Sequence, residues 1–278
     1  MNVPNVAPSA NRVRAVDPDA TVPDAVDWRD EGMVSAVKNQ MNCGSCWAFA
    51  TTAAYESIVM ISGLGEYDLA EEYVLECTSA YVSDIRTSSC AGGYVVDALP
   101  MLLEFGAPTE DVYPYISNNY GGSTLGYETT PGICDRADTS AWVMETINAE
   151  HFSFNDLDDA TLKLHVAYAP VVALIYADTG FMNLGSGVYS GCPDYATSKG
   201  LINHAVLIVG YTEDGDWIVK NSWDTTWGNN GYGIVSKDAD CALKAYVDEL
   251  NGDNEILEAE PLTKFYFAAI FLLLALLY

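Results

Sequence analysis

Basic side chains are scarce in this sequence of 278 residues: 12 Lys and Arg stand against 39 Asp and Glu, a net charge of −27. Phosphate backbones are bound through clustered positive charge, so nucleic acid is excluded as a partner. A bare anionic membrane surface is excluded on the same ground. The acidic balance gives instead a solvated, self-repelling surface. Disorder is excluded too, because half the residues are apolar and only 18% are charged. Metal-ligand pairs are missing as well. Beyond Cys43 and Cys46, no two Cys or His residues stand at short ligating spacing, so no metal and no other cofactor is expected. Residues 1–21 lack the apolar stretch of a secretory signal. They hold Pro4, Pro8, Pro18, Arg12 and Arg14 and are expected to be a linker or a propeptide remnant.

Cysteine is plentiful and odd in number: Cys43, Cys46, Cys77, Cys90, Cys134, Cys192 and Cys241. Three bridges and one free thiol are the natural reading. Bridges imply an oxidising compartment, so a true beginning upstream of Met1 is expected. At the other end, an acidic polar spacer at 251–264 precedes an uncharged run at 265–278. At about 1.5 Å per residue that run reaches roughly 21 Å, short of a ~30 Å hydrocarbon core. Three readings of it stand: a GPI-attachment signal, a transmembrane helix cut short, or a packed helix. The first two would attach the chain to a membrane.

Hydrophobic periodicity and stop signals predict helices over 45–61, 71–77, 94–105 and 158–168, the third disturbed by Pro100. Short runs rich in Val, Ile and Tyr predict strands over 171–176, 205–211, 217–221 and 232–236, two of them joined by a turn at 213–215. Helices dominate 22–115 and strands the segment 116–250. That segregation is the mark of an α+β protein with two lobes and a site in the cleft between them.

Three segments carry chemistry. Gln40, Cys43, Gly44, Ser45, Cys46 and Trp47 place a thiol at the start of a helix, where free N–H groups and the positive dipole end favour thiolate. Asn203, His204 and Ala205 place an imidazole at the mouth of an apolar strand. Lys220, Asn221, Ser222 and Trp223 follow downstream. A lone Cys on a helix is usually an inert core thiol. These segments in this order say more.

Together with Cys90, Gly92 and Gly93, they resemble the papain-like cysteine peptidases of the cathepsin L type, over about residues 22–247. The resemblance implies a papain-like two-lobed fold and peptide-bond hydrolysis. Cys46 would be the nucleophile and His204 its base, resting as thiolate and imidazolium. Asn221 would orient the imidazole, and Trp223 would shield that contact. Gln40 and the Cys46 N–H would form the oxyanion hole. It also implies the bridges Cys43–Cys90, Cys77–Cys134 and Cys192–Cys241. Gly92 and Gly93 would meet the substrate backbone. Tyr94, Val95, Leu174 and Ile202, with Tyr246 at the base, would form an apolar pocket. A bulky hydrophobic residue two positions before the scissile bond is then expected.

The expected partners are protein or peptide substrates, met by a monomeric catalytic domain. The expected location is a lysosome- or vacuole-like acidic compartment or the extracellular medium. No occluding insertion is visible, which favours an endopeptidase. Two alternatives use the same fold: an inactive binding module, and an acyl or isopeptide transferase. Asp224 departs from the family pattern, which has Gly after the Trp, and adds charge beside the cleft.

Overall fold

The computed structural model describes residues 22–81, 90–116, 142–143, 149–239 and 241–251. The segments 1–21 and 252–278, Cys134, and almost all of 116–133 lie outside them. So does the apolar run at 265–278. Among the described residues, no helix is long and apolar enough to cross a membrane.

A helix that is apolar on every side belongs in a core. The predicted first helix is of that kind. α1 (Cys46–Ile61) has 15 of its 16 residues buried. α2 (Glu71–Tyr81) and α3 (Val95–Phe105) pack against it. α2 runs beyond the predicted end at 77, and α3 runs through Pro100 to Gly106, which stops it at φ +70.

The second half builds the sheet. Around α4 (Asp159–Tyr168) lie β4 (Glu150–Asn155) and β5 (Val171–Ile175). β1 (Val26–Asp27), β6 (Val188–Tyr189), β7 (His204–Tyr211), β8 (Trp217–Lys220), β9 (Tyr232–Val235) and β10 (Tyr246–Asn251) complete it. The order is β4-β10-β5-β7-β8-β9-β6, with β1 paired to β7; only β6 and β9 run parallel. The short pieces β2 (Ala107–Pro108) and β3 (Trp142–Val143) pair separately, and α5 (Thr179–Met182) and α6 (Tyr195–Gly200) are single turns or little more.

Side chains alternate across a strand, and here both faces are covered. Val171, Ala173, Ile175, Val206, Ile208 and Val219 join one core cluster. Val172, Ala205, Leu207, Val209 and Ile218 join the other, around α1. That double burial is why β7 reads as an unbroken apolar run. α1 packs on β7, and the Ala205 amide near the start of the strand bonds the Cys46 thiol at the head of the helix.

The pattern signals do not point to β4 and β10, because both carry polar and ionisable residues. Some of them find partners across the sheet and on α4 instead. His151 Nε2 of β4 lies 2.9 Å from Asp248 Oδ1 of β10, and Glu249 Oε2 of β10 lies 2.7 Å from His165 Nδ1 of α4.

Candidate active site

Cys46 is the first residue of α1 and the only unbridged cysteine among the described residues. Ser45, at the N-cap, does not cap the helix with its side chain. Its hydroxyl lies 2.8 Å from the Tyr115 hydroxyl, which itself donates to the Gln40 carbonyl at 3.0 Å. Tyr115 has one proton, so Ser45 is the donor to it. The N–H groups of Cys46 and Trp47 are left to the sulfur, while that of Ala48 donates to the Ser45 carbonyl at 2.9 Å. The amides of Ala205, Trp47 and Cys46 all favour charge on Sγ.

His204 opens β7, and Asn221 follows the end of β8 with its N–H bonded to the Gly231 carbonyl at 3.0 Å. The two side chains meet at 2.8 Å, His204 Nε2 to Asn221 Oδ1. The same oxygen accepts the Ser222 backbone N–H at 2.8 Å. A backbone N–H can only donate, so the atom facing it must be the amide oxygen. His204 Nε2 is therefore the protonated nitrogen, and Nδ1 is left as the base. Trp223 lies over the imidazole with ring centroids 4.4 Å apart and a 25° tilt.

Gln40 is clamped from the same segment. Its N–H donates to the Ser222 carbonyl at 2.9 Å, and Ser222 Oγ donates to Gln40 Oε1 at 2.6 Å. Gln40 Nε2 donates to the Cys43 carbonyl at 2.7 Å, which leaves its second hydrogen for an oxyanion.

Burial pushes the Cys46 thiol up to about 11, against the three amides, and pushes His204 down to about 4, against the Asn221 bond. Desolvation thus opposes charge on both groups, while the backbone amides around Sγ and the Asn221 bond favour it.

Behind the site lies a buried ionic cluster. Lys38 Nζ reaches Glu71 at 2.9 Å, Glu56 at 3.4 Å and Asp68 at 2.7 Å. Lys220 Nζ donates to Ser35 Oγ at 2.9 Å, and Ser35 Oγ donates to Glu56. Burial pushes Lys220 down to about 8. For Lys38 burial acts the same way, but Glu71 and Glu56 outweigh it and hold the ammonium charged.

Two expected bridges are present, Cys43–Cys90 with Cα atoms 4.6 Å apart and Cys192–Cys241 at 5.3 Å. Cys77 is also disulfide-bonded, and its expected partner Cys134 lies outside the described residues. Gly92 has φ +127, and a Cβ on Gly93 would overlap the Trp47 indole. Val95 belongs to the α1 core cluster. Leu174 borders that cluster and also a small one of Ile202, Ala242 and Ala245, where Tyr246 packs. Leu174 thus packs against both the Val95 cluster and the Ile202 cluster. Tyr94 caps α3 beside them. Ser222 and Tyr115 carry site functions that the sequence reading did not assign. Ser222 sat inside a quoted motif, whereas nothing around Tyr115 signals its reach to Gln40.

An unbridged thiol at the head of α1, bonded by the amide that follows His204 in β7, and an imidazole oriented by an amide oxygen are the site of a cysteine protease. The chain belongs to the papain family of cysteine proteases, whose family description matches residues 22–249. It is 35% identical over 245 residues to pro-cathepsin H of Mus musculus, covering 86% of this chain and 67% of that one. It is 34% identical over 215 residues to a cathepsin L-like proteinase of Fasciola hepatica, covering 76% of this chain and 59% of that one. The solved bromelain of Ananas comosus, in complex with the E64 inhibitor, superposes with a TM-score of 0.64 at 29% identity. That match covers 84% of this chain and all of the bromelain chain. The chain thus spans about three fifths to two thirds of the length of these curated relatives.

Proposed function

We propose that the chain is an endopeptidase that cleaves peptide bonds through a thioester on Cys46. The observation that carries this is the His204–Asn221 contact in the tautomer that Ser222 fixes, with Cys46 unbridged at the head of α1. Sγ attacks the carbonyl carbon as its proton passes to His204 Nδ1. The oxyanion takes the Cys46 N–H and the free hydrogen of Gln40 Nε2. The C–N bond breaks as His204 returns the proton to the departing amine. Water, deprotonated by His204, then hydrolyses the thioester.

Backbone contact at Gly92 and Gly93, with a pocket of Tyr94, Val95, Leu174 and Ile202, supports a bulky hydrophobic residue at the second position before the scissile bond. Trp223 supports the reaction by covering His204. Protein and peptide substrates met by a monomeric domain complete the reading. The place of action we infer is an acidic vesicle or the extracellular medium. Both are reached through the oxidising secretory route that bridges such as Cys43–Cys90 need. The test is hydrolysis of internally quenched peptides bearing Leu, Phe, Gly or Asp at that position. Cleavage of the Leu and Phe peptides, abolished in Cys46→Ala, is expected. Equal rates for all four would overturn the pocket reading, and no cleavage would overturn the peptidase reading.

A further inference from the structure

Two residues beside the site hold a backbone conformation that favours glycine. Met41 has φ +54 and Asp224 has φ +68. They lie on two segments that pair with each other. Asn39 and Trp223 form an antiparallel bridge, and the Asp224 N–H donates to the Lys38 carbonyl at 3.1 Å. One side chain spans them. Asn39 Oδ1 accepts the Met41 N–H at 2.8 Å, and Asn39 Nδ2 donates to Asp224 Oδ2 at 3.4 Å.

Local structure accounts for part of Asp224. Its Oδ1 accepts from the Thr225 N–H at 2.6 Å and from Thr225 Oγ1 at 3.1 Å. Those bonds hold the carboxyl below its usual range, so it carries charge. Oδ2 has only the long bond to Asn39 and retains room for another donor. For Met41 the local support is the Asn39 Oδ1 bond to its N–H. Its side chain is 53% exposed, so burial does not offset the strain. Strain that packing does not explain collects at functional sites.

The corner adjoins Gln40 on one segment and Trp223 on the other, and Trp223 covers His204. His204 must hand its proton to the departing amine. The departing half of the substrate therefore lies toward this corner. The Gly92–Gly93 edge packs elsewhere, against Gly44 and Trp47. We propose that Met41 and Asp224 recognise the departing half of the substrate, an apolar side chain resting on Met41 and a lysine or arginine pairing with Asp224. This rests on the peptidase reading above. Asp224 is not among the groups that move the His204 equilibrium, so its charge acts on substrate and not on the base.

The test uses internally quenched peptides with one fixed acyl half and Lys, Leu or Glu at the first two positions after the scissile bond. A fluorogenic amide with the same acyl half and nothing beyond it is run on the parent chain. The readout is the ratio of kcat/KM between peptides within each variant, so a general loss of activity cancels. The parent should prefer Lys over Glu by about 10-fold at low salt, the scale of one exposed charge pair gained and one repulsion avoided. Asn tolerates the left-handed backbone, so Asp224→Asn keeps the turn and should bring the ratio near one. Asp224→Lys should invert it, and Met41→Gly should lower the preference for Leu over Glu. Equal Lys and Glu rates in the parent, or an unchanged ratio in Asp224→Asn, would overturn the inference. Failure of the parent to cleave the amide would overturn the peptidase reading, and this inference with it.

Discussion

Asn221→Ala separates orientation from chemistry in this site. A neutral His204 imidazole donates to Asn221 Oδ1 at 2.8 Å, a bond of the ~1 kcal/mol kind. Once His204 has taken the thiol proton the same bond becomes charge-assisted, about 1.5–3 kcal/mol. The Trp223 stack keeps the ring plane but does not fix its rotation, so Nδ1 loses its aim as well. The difference between the two bond strengths, about 0.5–2 kcal/mol, lowers kcat roughly 2- to 30-fold. KM should stay close to that of the parent, because Asn221 is buried behind the imidazole. The pH profile gives a second, independent sign. Burial lowers His204 and the Asn221 bond raises it. Removing Asn221 leaves burial unopposed, so the acid limb should move below its position near 4. Steady-state hydrolysis across pH reads both effects. An unchanged kcat, or an acid limb that moves up, would refute the reasoning.

Three further outcomes follow from the packing. Gly93→Ala forces a methyl into the Trp47 indole beside the nucleophile; an overpacking loss of about 1–3 kcal/mol is expected in denaturant unfolding, with reduced activity, and an unchanged midpoint would count against it. Glu56→Ala strips partners from Lys38, from the Leu69 N–H and from Ser35. Breaking such a buried pair costs about 3–5 kcal/mol, a fall of roughly 6–20 °C in Tm by calorimetry; a fall of about a degree would show that the cluster carries little. Replacing Cys192 and Cys241 by Ser opens a loop with a sequence separation of 49; about 4 kcal/mol of stability should be lost, and no loss would mean the unfolded chain is already compact there.

How legible the fold was depended on what disguised each element. α1 and β7 were readable because each is an uninterrupted apolar run, and Gly63 and Gly44 bracket the helix. The alternation that places β7 between two cores could not be read, since a strand covered on both faces has no period. β4 and β10 were missed for the opposite reason. His151, Asp248 and Glu249 look like solvated residues until packing pairs Asp248 with His151 and Glu249 with His165 of α4. In the site, Cys46, His204, Asn221 and Gln40 stood in recognisable motifs. The burial that opposes charge on Cys46 and His204 did not, because only the packed molecule has it. Asp224 was visible as an unusual residue, but its kinship with Met41 lies in the backbone and is invisible in sequence.

The central claim is that His204 activates Cys46. Alkylation with iodoacetamide, with the bridges intact and the label located by mass spectrometry, tests it across pH. An ordinary thiol near 8.5 reacts slowly at pH 5. Here a single label on Cys46 is predicted already at pH 5, on a profile whose acid limb lies near 4, where His204 becomes a free base. In His204→Ala that reactivity should vanish and return only toward the thiol's own ionisation near 11. No preferential labelling at pH 5, or the same profile in His204→Ala, would contradict the account.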